Sequence, residues 1–383
     1  MKLPEGWKVE KLDTLFLDKF TGDWGSSDEE NKGIFVIRTT NFTNNGKLNL
    51  DGVVTRCIDN KVIKRKKLQF GDIILEKSGG SDNQPVGRVI YFDKTDGIYI
   101  CNNFTHVLRV NKKKAVPKYV MYFLLDVHKK GITKYFQNKT TGIRNLQMKR
   151  YLGLDIVLPP QEIQKKIVKA LEKAEEILKK RKEVINLLDE LVKSRFIEVF
   201  GDPVTNPKDW EVKLLGEVCD MKAGKNIKAC DISEINTGTL YPCYGGNGLR
   251  GYVEKYSHEG NIPLIGRQGA LCGNVNYARG RFYATEHAVV TQPKVKINNY
   301  WLYYILNELD LNRFSIGAAQ PGLTIGKLNR VKIPIAPLDM QNQFADFVKQ
   351  VDKLKFEMQK SLKKMENNFN SLIQRAFKGE LFK

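Results

Sequence analysis

Apolar and polar positions in this chain fall into two textures that alternate along it. Residues 1 to 160 carry short apolar runs rich in β-branched and aromatic residues, such as GIFVIRTTNF, GDIILEKS and GRVIYFD, each broken by Gly, Asn or Asp. That pattern predicts short strands joined by turns. A helix-like stretch, PKYVMYFLLDVHKK, comes late in the block, from Pro117. Residues 201 to 337 repeat the texture in NIPLIGRQGALCGNVNY and RFYATEHAVV, again with a late helix-like stretch, NNYWLYYILNELDLNRF, from Asn298. Even the openings agree: LPEGWKVEKLDTL and NPKDWEVKLLGEV match at Pro4/Pro207, Trp7/Trp210, Val9/Val212 and Leu12/Leu215.

The second texture is helical. Residues 161 to 199 contain no Gly or Pro and follow Pro159-Pro160, which suits a helix start. Leu171, Ala174, Leu178, Ile185, Leu188, Val192 and Val199 fall on 3/4 spacing, a coiled-coil-like face. From Leu338 the plan recurs with Phe344, Val348, Val351, Met358, Leu362, Met365, Phe369, Leu372 and Ala376. Gly201 and Gly379 supply the stops. Helices of roughly 36 to 40 residues are about 54 to 60 Å long, too long to lie within one small domain. A twofold-like repeat of globular unit plus helix makes the two helices antiparallel, each the other's natural partner. The predicted fold is therefore α+β: globular α/β domains at 1–160 and 201–337 in pseudo-twofold repeat, separated by long helices at 161–200 and 338–383. Aligning VKSRF with QRAF makes the second helix about one turn longer, a stutter-like insertion.

Charge narrows the function. The chain carries a net charge of +20, of which +11 falls on residues 1–160, while the helical segments are nearly balanced. Such an excess implies a polyanionic partner, nucleic acid before membrane. No run approaches 18 apolar residues and MKLPEGWK lacks a signal-peptide core, so a cytoplasmic protein without membrane contact is expected. Six scattered cysteines form no CxxC pair and read as reduced thiols, with neither zinc nor disulfides indicated. No dinucleotide fingerprint, Walker loop or methyltransferase signature is present, and Asp72 with Glu76-Lys77 has the wrong spacing for a nuclease set.

Several stretches, in this order and twice over, resemble the specificity subunits of Type I restriction-modification systems across essentially the whole chain. GWKVEKLDTL and DWEVKLLGEV open the halves, and VIRTTNFTNNGKL lies in the first. YPCYGGNGLRGY and LIGRQGALCGNVNY lie in the second. TTGIRNLQMKRYLGLDIVLPPQEIQKKI and PGLTIGKLNRVKIPIAPLDMQNQF close them, and SLIQRAFKGEL ends the chain. The resemblance implies two target recognition domains, each reading one half of a bipartite, asymmetric site in double-stranded DNA. The helices then serve as spacer and docking surface. It implies partnership with two methyltransferase subunits, joined by two translocase/nuclease subunits for restriction. It also implies no catalysis and no cofactor on this chain, with S-adenosylmethionine, ATP and magnesium on the partners. From Trp7 to Pro160 is 153 positions and from Trp210 to Pro337 only 127, so the second reader should recognise a different half-site.

Candidate DNA contacts are polar residues at strand ends and in glycine-rich loops. In the first block they are Arg38, Thr39 and Asn41; Lys77, Ser78 and Arg88; and Lys139, Thr140, Thr141 and Arg144. In the second they are Lys222, Lys225 and Asn226 in MKAGKNI, Tyr244, Asn247 and Arg250 in YGGNGLRGY, and Arg267 and Gln268 in LIGRQG. Arg and Gln suit guanine and adenine edges respectively. Solvated turns and strand-edge hydrogen bonding are the plainer alternatives for each. The KRKK run at 64–67 suits phosphate or solvent better than bases. Two other functions remain open on the residues alone: a coiled-coil scaffold with nonspecific nucleic-acid-binding domains, and a single-chain restriction enzyme.

Overall fold

Each opening motif becomes a short strand that ties its unit shut. In a computed structural model describing residues 3–81, 83–140, 142–269, 271–315 and 322–382, Lys8–Lys11 pairs antiparallel with Asp155–Leu158, and Glu211–Leu214 with Lys332–Ile335. In both cases the partner strand leads directly into a long helix. The leucines and valine that follow, Leu12 and Leu15 in one copy and Leu215 and Val218 in the other, are buried. The repeated spacing thus delivers two apolar anchors per unit to a core.

Two compact units result: Met1–Arg181 with Ser361–Lys383, and Lys182–Lys360. In the first, β1 (Phe16–Thr21), β2 (Ile34–Ile37), β3 (Ile73–Glu76), β4 (Val89–Tyr91), β5 (Tyr99–Cys101) and β6 (Thr105–Val110) build two sheets. One is antiparallel in the order β1-β6-β3-β4; in the other β2 runs parallel to β5. β3 is apolar at consecutive positions because both its faces are covered. Ile73 and Leu75 join the core under α1 (Pro117–Lys129), whereas Ile74 packs with Phe20, Ile37 and Phe92 on the other side. Pro117 at the first turn starts α1, and α2 (Gln161–Phe200) follows the sheet.

The second unit repeats the plan with β7 (Cys219–Ala223), β8 (Tyr241–Gly245), β9 (Ile262–Gly266), β10 (Val275–Ala278), β11 (Arg281–Ala284) and β12 (Ala288–Pro293). Its antiparallel sheet runs β7-β12-β9-β10 and β8 is parallel to β11. Register makes the equivalence residue by residue: Val107 pairs with both Phe20 and Ile74, as Val290 does with both Lys222 and Leu264. Ile74 and Leu264 therefore occupy the same place. α3 (Asn299–Glu308) is capped by the Asn298 side chain, which accepts from Tyr300 N–H at 2.9 Å and Trp301 N–H at 3.1 Å. α4 (Leu338–Phe377) closes the order.

The long helices are 40 residues each, so the extra turn expected from aligning VKSRF with QRAF is not there. The packing explains why: the matching residues are Phe200 and Phe377. Phe200 packs against Trp301 (5.9 Å between ring centroids) and Phe377 against Tyr119 (5.2 Å), the third residue of each unit's shorter helix. Within the second unit, Phe200 also meets Phe344 and Asp189 meets Lys355, so α2 and α4 run antiparallel there. The chain is α+β, with two α/β units and two long helices packed together.

A side chain not singled out by the sequence holds each helix start. Gln164 accepts from Val116 N–H and donates to Pro159 O, both at 2.8 Å. Gln341 accepts from Asn298 N–H at 2.9 Å and donates to Ala336 O at 2.7 Å. Both glutamines are buried, and so are their bonds to Pro159 O and Ala336 O, which satisfy carbonyls with little access to water. No helix among the described residues is long and apolar enough to cross a membrane.

Candidate nucleic-acid interface

Where β3 leaves the first sheet, the chain passes Glu76, Lys77 and Ser78, and three of the predicted segments meet there. Glu76 is 2% exposed and receives Arg88 in a two-pronged contact, Nε at 2.8 Å and Nη2 at 2.9 Å. The same Nη2 donates to Thr39 O at 3.2 Å, which joins Arg88 to the end of β2. Asn41 is buried, and its Oδ1 accepts the Arg38 backbone N–H at 2.9 Å. Arg38 Nη2 donates to Gly52 O at 2.8 Å, while its Nε is buried without a partner. Arg88 and Asn41 thus shape the floor of the loops, and Arg38 and Thr39 sit on its rim.

Lys77 reaches inward. Its ammonium donates to Thr21 Oγ1 at 3.1 Å, and that hydroxyl lies 3.2 Å from His106 Nδ1. Burial holds the Lys77 pKa below its usual range. Burial, with the charges of Lys77 and Lys19, pushes His106 down to about 4, so this imidazole is neutral at neutral pH. Ser78 donates to Asn145 Oδ1 at 2.7 Å, and Ser78-Gly79 pairs with Arg144-Asn145. Gln137–Thr140 pairs with Ile143–Leu146 to complete a three-stranded sheet, which brings the backbone of Lys139 and Thr140 beside Arg144. The side chains of Lys139 and Thr140, and all of Thr141, lie outside the described residues. Of the KRKK run, Lys66 pairs with Asp23 at 3.0 Å. The acidic residues Asp72 and Glu76 are both consumed by arginines, Asp72 by Arg109 at 2.7 Å.

The second unit gathers its candidates in the same way. Tyr244, one residue before the end of β8, stands perpendicular to Phe282, and the Asn247 turn leads to Arg250; both of the latter are exposed. Arg267 and Gln268 follow β9. Gly246 and Gly266 bring these loops together, since a Cβ on Gly266 would lie 2.0 Å from Gly246 O. A Cβ on Gly224 would likewise lie 2.0 Å from Ala284 O, as one on Gly22 would from Cys101 O, so both units need a bare backbone where β7 or β1 passes the parallel pair. Lys225 N–H donates to Ala284 O at 3.0 Å and Asn226 O accepts from Tyr283 Oη at 3.2 Å. Lys222 stands on β7, exposed and paired with Asp220 at 2.8 Å.

The sequence reading missed Thr21, His106, Asn145 and Glu286, whose Oε2 is buried without a partner. Asn145 directly follows the candidate Arg144, whereas the others come from segments that held no candidate. No local signal marks them; only the fold brings them in. The polar donors of these two clusters can hydrogen-bond base edges and phosphates.

Residues 4–187 and 207–366 match the family of Type I restriction modification DNA specificity domains. The chain is 44% identical over 160 residues, 40% of each protein, to the EcoprrI specificity subunit of Escherichia coli. It is 23% identical over 400 residues to the putative MjaX specificity subunit of Methanocaldococcus jannaschii, covering 96% of this chain and 93% of that one. The matches to the E. coli relative and to a Haemophilus influenzae relative span only 40% and 38% of those proteins. Among solved structures, a chain described in work on assembly and conformational transition of the type I R-M system matches with a TM-score of 0.65. That match is 19% identical and covers 100% of both chains. The S subunit from M. genitalium matches with a TM-score of 0.56, at 18% identity and 98% coverage of both. These two agree with this chain in fold. With the family model spanning both units, the chain belongs to the Type I restriction-modification DNA specificity family.

Proposed function

We propose that this chain is the non-catalytic sequence reader of a Type I restriction-modification enzyme. Each α/β unit binds one half of a bipartite, asymmetric site in duplex DNA. The long helices set the spacing and dock two methyltransferase subunits, with S-adenosylmethionine, ATP and magnesium used by the partners. The observation that carries this reading is one backbone frame used twice with different polar side chains on it: Lys77 and Ser78 in one copy, Arg267 and Gln268 in the other. Two readers of one design with different faces fit a site whose halves differ. Docking is supported by Ile177, Val184, Leu187 and Leu191, apolar and exposed at helical spacing along α2. The net charge of +20 favours DNA through release of counterions.

The test is methylation of a randomised duplex library by the full chain assembled with its methyltransferase. A single split motif is expected. Methylation without sequence preference, or competition by random duplex as effective as by the preferred one, would favour a scaffold with nonspecific nucleic-acid binding instead. Magnesium-dependent cleavage by the chain alone would make it an enzyme.

A further inference from the structure

Lys77 and Arg267 are one position seen twice. Each follows the last residue of a central strand. Lys77 N–H donates to Phe104 O at 3.0 Å and its carbonyl accepts from Leu146 N–H at 2.8 Å; Arg267 N–H donates to His287 O at 3.0 Å and its carbonyl accepts from Leu323 N–H at 2.9 Å. The next residue pairs with the same neighbouring segment, Ser78 with Asn145 and Gln268 with Gly322. The backbone is therefore pinned on both sides in both copies.

What distinguishes these two cations is a backbone pinned at the same strand end combined with the lack of a counter-charge, a lack that Arg38, Lys225 and Arg250 share among the described residues without sharing that position. Arg88, Arg109, Lys66 and Lys222 each face a carboxylate. Among the described residues, neither Lys77 nor Arg267 forms an ion pair. Lys77 has only the Thr21 hydroxyl, next to a neutral imidazole, and Arg267 Nε is buried with no acceptor. A half-buried cation without an anion costs desolvation that an incoming acceptor repays. Phosphate can be met by any mobile surface lysine, whereas a donor fixed to a strand end suits the defined positions of base edges.

Resting on the reading of the chain as a sequence reader, we infer that Lys77 and Arg267 are the equivalent specificity-determining residues of the two units. Each takes the O6/N7 edge of a guanine in the major groove of its own half-site. Both half-sites then contain a guanine that is read from the same place in the frame, and the halves differ through the neighbours Ser78 and Gln268.

The experiment assays the complete complex on duplexes randomised within each half-site, with wild type, Lys77→Ala, Lys77→Arg and Arg267→Ala. Wild type should require one guanine in each half. Lys77→Ala should lose roughly 10- to 100-fold discrimination at the guanine of one half and none in the other. Arg267→Ala should do the reverse, and Lys77→Arg should keep the preference. The untouched half-site reports that each variant is folded. Two results would overturn the inference while leaving the sequence-reader reading intact: a uniform loss across all sequences with a weaker salt dependence, which marks a phosphate contact, or preferences unchanged in both alanine variants. A wild-type complex with no preference would remove both.

Discussion

The two units share a backbone and fill it differently at the point that matters most. In the first, the space beneath the loops holds a buried ion pair, Arg88 on Glu76, with a third tie to Thr39 O. In the second, the residue in the place of Glu76 is Gly266, and the backbone of Gly246 moves in directly above it. One floor is electrostatic and demands both charges. The other is steric and demands two residues without side chains. A frame that tolerates both solutions leaves its rim free to change, because the strands below do not depend on which filling is chosen.

The strongest way to break this contrast is Glu76→Ala. It leaves Arg88 buried and unpaired, which should destabilise the first unit by about 3–5 kcal/mol, read as faster amide exchange in β3 with β9 unaffected. Gly266→Ala is the counterpart. Its methyl meets a carbonyl rather than a flexible side chain, so a cost of about 3 kcal/mol is expected, confined to the second unit by the same measurement. The shared parts should respond alike: Gln164→Ala and Gln341→Ala each remove the partners of two backbone groups, one of them in a buried bond, and should each cost about 2 kcal/mol in denaturant titration. Unequal costs would show that the repeat is less faithful than its hydrogen bonds suggest.

Acid gives the smallest effect and sharpens the comparison by its sign. Burial and nearby cations push His106 and His128 in the first unit from 6.5 to about 4. The unfolded chain then binds protons that the folded unit refuses, so the contribution of these two histidines to stability falls as pH drops from about 6.5 to about 4 and levels off below that. In the second unit His258 is shifted the same way, also by burial and by Lys225. The first unit should therefore lose exchange protection first on acidification.

Much of this was legible in the chain. The duplication, both helix starts at proline and both stops at glycine follow from spacing alone, and GDIILEKSGG over NIPLIGRQGA already aligns Lys77 with Arg267. The likeness of VKSRF to QRAF misleads about helix length, because packing is decided by Phe200 and Phe377, each set against an aromatic far away in sequence. Asn41 looks like a loop donor in sequence, yet it is buried and spent on the Arg38 backbone. Polarity shows that a side chain needs a partner. It does not show whether the partner is the protein's own backbone or something from outside.

The buried glutamines also make the two corners observable. The amide protons of Val116 and Asn298 point at side-chain oxygens on the long helices, so each loses its acceptor when the start of a helix parts from its unit. Two assigned resonances would then act as strain gauges, showing whether bound partners leave these corners clamped or pry one of them open.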